Sequence, residues 1–152
     1  MARQTNYYSS YTGMGPLEKN SLIRFLSEHE RSLDIKDIRE AVDYALKDKP
    51  SFGGFVLTVQ EAEEYMAAAV INKTGMKGYS PSNLVVLLTL HRKIRNKKKV
   101  IECLLEKITS YAKGDIAFHM DADNPTLQVF KQFGFKTHCL ELRFENQTSP
   151  VT

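Results

Sequence analysis

A chain of 152 residues that is 42% hydrophobic and 26% charged has room for one sizeable core, so one domain over residues 1–152 is the expectation. The net charge of +3 is too mild for a chain built as a whole around a polyanion, and the longest apolar run, LVVLLTL from Leu84 to Leu90, falls short of the roughly 18 to 20 residues of a membrane helix. No apolar block of signal-peptide length opens the sequence, so a cytoplasmic location without a membrane partner is expected.

The first 15 residues are polar and rich in tyrosine and read as a loose arm. Leu22, Ile23, Phe25 and Leu26 within residues 18 to 31 fall at near-helical spacing, as do Ile35, Ile38, Val42, Ala45 and Leu46 within residues 35 to 47. Two amphipathic helices are predicted there. Asp34 stands where the N-cap of the second belongs, and Pro50, Gly53 and Gly54 close it. FVLTVQ and YMAAAVINKTG, with a few polar residues between them, predict an antiparallel hairpin, followed by a loop GMKGYSPS. NLVVLLTL is apolar and β-branched enough to predict a central strand buried on both faces.

Past a basic stretch, Val100, Ile101, Leu104, Leu105, Ile108 and Tyr111 mark one face of a helix ending near Gly114. IAFHMDA alternates and predicts a strand. PTLQVFKQF predicts a short helix with Pro125 at its start and Gly134 as its stop. KTHCLELRF closes the chain as a last strand, leaving residues 145–152 as a tail. The order α-α-β-β-β-α-β-α-β predicts an α/β class with a mixed sheet carrying helices and a β-α-β unit at its centre. Cys103 and Cys139 sit inside apolar patterns and are expected as buried, reduced thiols. His29, His91, His119 and His138 show no metal spacing, and no metal site is predicted.

LHRKIRNKKKV gathers Arg92, Lys93, Arg95, Lys97, Lys98 and Lys99. A solvated face is the ordinary fate of such a cluster. Its place directly before a predicted helix suggests a second use, because a helix N-terminus offers unpaired N–H groups and a partial positive charge on which a pyrophosphate can sit. Nucleic acid ranks behind both, since the nearest aromatics, Tyr79 and Tyr111, lie outside the cluster.

From about Gly54 to Phe144 these residues give the chain a likeness: it resembles the GNAT superfamily of acyl-CoA-dependent N-acetyltransferases. LLTLHRKIRNKKKVIECLLEKI aligns without a gap with the family's signature of an apolar strand, Arg or Gln, two residues, Gly, one residue, Gly or Ala, and an amphipathic helix, with Arg95 in the first place. FHMDADNPTLQVFKQFGF is similar to the later signature, with Asn124, Gly134 and Phe135 matching.

The resemblance implies a GNAT-like fold, acetyl-CoA as co-substrate, and transfer of the acetyl group to a small-molecule or peptide amine by direct attack. It implies that Leu88, Thr89 and Leu90 pair with the pantetheine arm, that Arg95, Asn96, Lys97, Lys98, Lys99 and Val100 hold the pyrophosphate, and that Asn124 and Phe130 border the thioester. Lys98 and Val100 stand where the family has small residues. Lysine ammonium groups can compensate for glycine-enabled amide contacts, whereas the branches of Val100 are expected to crowd the ligand. Phe130 replaces a common tyrosine that protonates the leaving thiolate. These departures keep open a catalytically silent CoA-binding or protein-interaction module of the same fold, with a basic-loop nucleic-acid binder as a third reading. For the base that frees the amine, His119 and Asp121 are candidates beside Glu63, Glu64 and ordered water. The acceptor is not legible in the sequence, and a homodimer is one open arrangement.

Overall fold

The structure is a computed structural model that describes residues 3–30, 33–78 and 80–147. Met1, Ala2 and Tyr79, and the end of the expected tail from Thr148 to Thr152, lie outside the described residues. The elements are β1 (Arg3–Ser9), α1 (Pro16–His29), α2 (Ile35–Leu46), β2 (Gly54–Glu61), β3 (Glu64–Lys73), β4 (Asn83–Leu90), α3 (Lys97–Tyr111), β5 (Ile116–Phe118) and α4 (Leu127–Phe133). They form one five-stranded sheet in the order β1-β2-β3-β4-β5. All neighbours are antiparallel except β4 and β5.

The mixed sheet with helices on both faces agrees with the expected class, and the sequence pattern explains most of it. Asp34 accepts a hydrogen bond from the Lys36 N–H at 3.0 Å and caps α2, which stops at Leu46 because Lys47 takes a left-handed conformation (φ 57°) ahead of Pro50. The β2–β3 hairpin turns through Ala62 and Glu63, both at positive φ (50° and 70°), the handedness that suits a two-residue turn between twisted strands. Gly54 is needed for a different reason: a Cβ there would lie 1.9 Å from the Ile71 carbonyl oxygen of β3.

Alternation along the strands divides the core into two layers. Phe55, Leu57 and Ile71 face α3, where Val100, Ile101, Leu104, Leu105 and Ile108 pack on them. Val56, Val70 and Leu87 face Leu22, Leu26, Ile38 and Val42 of α1 and α2. Each helix buries the stripe its 3.6-residue period predicts.

Four expectations are corrected. The N-terminal arm is the edge strand β1, paired with β2 from Arg3↔Glu61 to Ser9↔Phe55. Its polar composition suits an edge, and its tyrosines serve both layers: Tyr7 stacks on Tyr111 at 4.2 Å, while the Tyr8 hydroxyl donates to Glu18 at 2.8 Å. Second, β3 rather than β4 is the central strand, so the β4–α3–β5 unit lies at one margin of the sheet. Third, KTHCLELRF forms no strand: residues 136–147 join no ladder and are exposed, because no partner covers their apolar side among the described residues. The observed order is therefore β-α-α-β-β-β-α-β-α. Fourth, Cys103 and Cys139 are free and exposed, the first on the outer side of α3 and the second in that terminal segment.

Candidate functional site

β4 pairs with β3 along its whole length, but with β5 only through Asn83↔Ile116, Leu84↔Ala117 and Val85↔Phe118. Opposite the Val70–Ile71 step of β3, β4 carries Val86 as one extra residue, a bulge that bends the strand at the point where β5 leaves it. From there to Leu90 the outer edge of β4 has no strand beside it among the described residues. Its outward N–H and C=O groups are available to an extended ligand.

The open edge runs toward the start of α3. Ile94, buried in the α3-side core, pins the connecting turn, and its N–H donates to the His91 carbonyl at 3.0 Å. Asn96 then takes a left-handed conformation (φ 59°) and starts the helix without a side-chain cap. The first helical bond is Val100 N–H to Asn96 C=O at 3.1 Å, so the N–H groups of Lys97, Lys98 and Lys99 have no partner within the helix. The three lysines are thus the first turn of α3, not a loop before it, and no acidic residue joins them. Cations there oppose the helix dipole, and an anion at the helix start would offset that opposition.

The remaining expected residues are placed as follows. Arg95 is exposed beside the lysines and its carbonyl accepts from Arg3 Nη2 at 3.3 Å. Arg92 is committed elsewhere, its guanidinium bonded to the Glu28 carbonyl at the end of α1. Val100 points into the core and crowds nothing at the helix start, because the helical period puts it on the face of Ile101 and Leu104. Leu88 and Leu90 pack toward α3, and Thr89 faces α1, where its hydroxyl lies 3.4 Å from Glu30 Oε2. Asn124 shapes the turn before α4: its Oδ1 accepts from the Thr126 N–H at 2.9 Å and the Thr126 hydroxyl at 2.7 Å. Phe130 is 2% exposed, between Phe118 (5.0 Å) and Phe135 (5.2 Å), and so is a core residue of the α4 layer. His119 and Asp121 follow β5 on an exposed turn, with His119 Nδ1 3.6 Å from Glu141 Oε1. Glu63 stays in the hairpin turn, exposed.

The fold also assembles a cluster that spacing does not reveal. His29 at the end of α1 and His91 just after β4 bring their rings to 4.3 Å, with Phe25 4.8 Å from His29. His29 Nδ1 accepts from the Arg92 N–H at 3.2 Å, His91 Nδ1 accepts from the Lys93 N–H at 3.1 Å, and His91 Nε2 lies 3.4 Å from Glu64 Oε1. These bonds fix a neutral tautomer with the proton on Nε2 for both rings. Burial, then the neighbouring His91 and Arg92, push the His29 pKa below its ordinary value. Nearby, burial and the charge of Glu18 push the Tyr65 hydroxyl up. The signal that pairs His29 with His91 is topological, since both end elements that finish on the same side of the sheet.

Solved structures share the fold of this chain across nearly its whole length. A GNAT-family acetyltransferase from Streptococcus pneumoniae superposes with a TM-score of 0.65 at 7% identity, covering 97% of this chain and 100% of its own. This is the GNAT fold. An aminoglycoside acetyltransferase from an uncultured soil metagenomic sample, in complex with sisomicin, matches with a TM-score of 0.62 at 12% identity over 97% of each chain. AAC(6')-Iy in complex with a bisubstrate analogue of CoA and acetylneamine matches with a TM-score of 0.65 at 10% identity, over 97% of this chain and all of that one. No family model and no curated protein matches the sequence. No helix among the described residues of this GNAT fold is long and apolar enough to cross a membrane.

Proposed function

We propose that this chain is an acyl-CoA-dependent N-acetyltransferase that passes an acetyl group from acetyl-CoA to an amine of a small molecule or peptide by direct attack. The observation that carries the reading is the opening between β4 and β5, a free strand edge leading to a lysine-rich helix N-terminus. A pantetheine arm is an extended chain with two amides, so it can complete the edge as a short strand does. The pyrophosphate would take the N–H groups and ammonium charges of Lys97, Lys98 and Lys99, with Arg95 and Asn96 beside them. When bound, acetyl-CoA supplies an acyl group activated as a thioester. The protein's own part is to hold it, exclude water and accept the proton of the amine.

For that proton, His29 stands beside the candidates His119 and Asp121. Its depressed pKa keeps it neutral, and its Nδ1 can accept once it gives up the Arg92 N–H, whereas His119 is 63% exposed in its side chain and Asp121 is exposed. A cytoplasmic location goes with the reading.

Titration calorimetry with acetyl-CoA and with CoA lacking the 3'-phosphate tests the site, and release of free thiol with a panel of amines tests the reaction. Binding with thiol release supports the proposal; no heat and no rise in melting temperature at millimolar acetyl-CoA removes it. The buried phenylalanine at position 130 favours a second reading, a silent module of the same fold, since no hydroxyl stands there to protonate a thiolate. Binding without thiol release from any amine selects that one.

A further inference from the structure

Arg3 joins two places that lie 92 residues apart in the sequence. It begins the edge strand β1 opposite Glu61, the last residue of β2, and by alternation its side chain lies on the α3 side of the sheet, as that of Tyr7 does. There its Nε forms an ion pair with Glu61 Oε2, while its Nη2 donates to the Arg95 carbonyl at 3.3 Å. The Arg3 and Glu61 side chains are 32% and 26% exposed, so this is not a freely solvated surface pair. β1 thus grips α3 at both ends, since Tyr7 stacks on Tyr111, the last residue of that helix.

The bonded carbonyl belongs to the peptide unit that leads into α3. In a trans peptide the C=O and N–H point in opposite directions, so holding the Arg95 oxygen also sets the direction of the Asn96 N–H, away from Arg3. Asn96 is left-handed (φ 59°, ψ 50°), and Lys97 opens the right-handed helix. Such a change of hand turns successive N–H groups toward one concavity, the backbone nest that receives anions. Resting on the acetyl-CoA reading above, we infer that Arg3 is a positioning residue for the cofactor. It makes no contact with the pyrophosphate; steered by Glu61, it holds the Arg95–Asn96 peptide so that the N–H groups of Asn96, Lys97 and Lys98 converge on it.

The sign of one substitution separates this role from plain charge. Glu61→Gln removes a negative charge near the bound anion, so Coulomb attraction alone makes binding tighter, whereas loss of the group that steers Arg3 makes it weaker. Arg3→Lys keeps the charge but lacks the planar fork that reaches Glu61 and the Arg95 carbonyl together.

Calorimetry of the full chain with acetyl-CoA and with S-acetylpantetheine, which lacks the pyrophosphate, tests the inference; circular dichroism and melting curves confirm that each variant is folded. Arg3→Ala and Arg3→Lys each weaken acetyl-CoA binding by about tenfold and Glu61→Gln weakens it by about threefold, while S-acetylpantetheine binding stays within about twofold of the native value. Asn6→Ala removes the 2.8 Å bond from Asn6 to Gln60 elsewhere in the same β1–β2 pairing and leaves acetyl-CoA affinity unchanged. Native affinity in Arg3→Lys, or tighter binding in Glu61→Gln, overturns the inference. So does an equal loss for S-acetylpantetheine, or a loss in Asn6→Ala as large as that in Arg3→Ala, since either would report fraying of the strand. A native chain that binds no acetyl-CoA removes the acetyltransferase reading itself, and this inference with it.

Discussion

From β1 to β4 the strands pair over seven, eight and seven positions, whereas β4 and β5 share three. Apart from the outer edge of β1, the antiparallel part pairs its own backbone groups, and it fills both faces with aliphatic side chains, so it is a packed scaffold. The β5 margin leaves a strand edge, a lysine-rich helix start and an apolar terminal segment without partners among the described residues. Packing decides the first region, and the proposed ligand site lies in the second, so the two should answer differently to substitution.

The sharpest break comes from the scaffold. Gly54→Ala places a Cβ within 1.9 Å of the Ile71 carbonyl, and only separation of β2 from β3 relieves it. A loss of about 3 kcal/mol or more is expected, read as a fall in the urea midpoint. No comparable loss is expected from Gly78→Ala in the loop before β4: no atom lies within 4 Å there, although its positive φ (75°) costs something.

Phe130→Tyr probes the boundary between the regions. Packed between Phe118 and Phe135 and 2% exposed, it would bury a new hydroxyl, so a destabilisation of about 1 to 3 kcal/mol with no gain in thiol release is expected. A stable variant with a rate raised about tenfold would mean that the ring borders the reacting sulfur, as the family pattern at this position suggests.

At the open margin the sign of the stability change reverses. Lys98→Ala removes a cation from the positive end of α3 and should stabilise the ligand-free protein by about 0.3 to 1 kcal/mol, while weakening acetyl-CoA binding by about 1 to 3 kcal/mol. Thermal melts with and without acetyl-CoA measure both. Unchanged affinity would make the cluster a solvated face.

The same division explains what the sequence made legible. The two core layers were readable because burial imposes the period: Leu22 to Leu26, Ile38 to Leu46 and Val100 to Ile108 occupy the stripes that their spacing marks. That period also places Val100 inward, which the likeness to a glycine-bearing loop obscured. β1 is not legible in the sequence because an edge strand needs little apolar alternation, and Tyr7 and Tyr8 divide between opposite faces. KTHCLELRF was over-read for the converse reason: its alternation records a preference for being covered, and alternation carries no information about which chain does the covering. The approach of His29 to His91 and the contact of Arg3 with Arg95 depend on where elements end in space, which no local pattern encodes.

The smallest effect belongs to His29, where the scaffold meets the open margin. Around it stand His91 and Arg92, which oppose its protonation, and Glu28 and Glu64, which favour it less strongly, with burial the largest influence of all. Its folded pKa is therefore below the value of about 6.5 expected in the unfolded chain. Between those two values the unfolded state binds more protons, so stability rises with pH through this window. The contribution is complete above about pH 6.5 and is lost as pH falls through the lowered folded pKa. His29→Asn should flatten the fall in melting temperature between about pH 7 and pH 5, and His91→Gln, by removing one opposing ring, should flatten it less. If His29 also takes the proton of the amine, the acid limb of the pH–rate profile follows the same group, and moves to higher pH in the His91→Gln variant. A limb that stays in place in His91→Gln and persists in His29→Asn would leave the ring a purely structural part of the junction between α1 and β4.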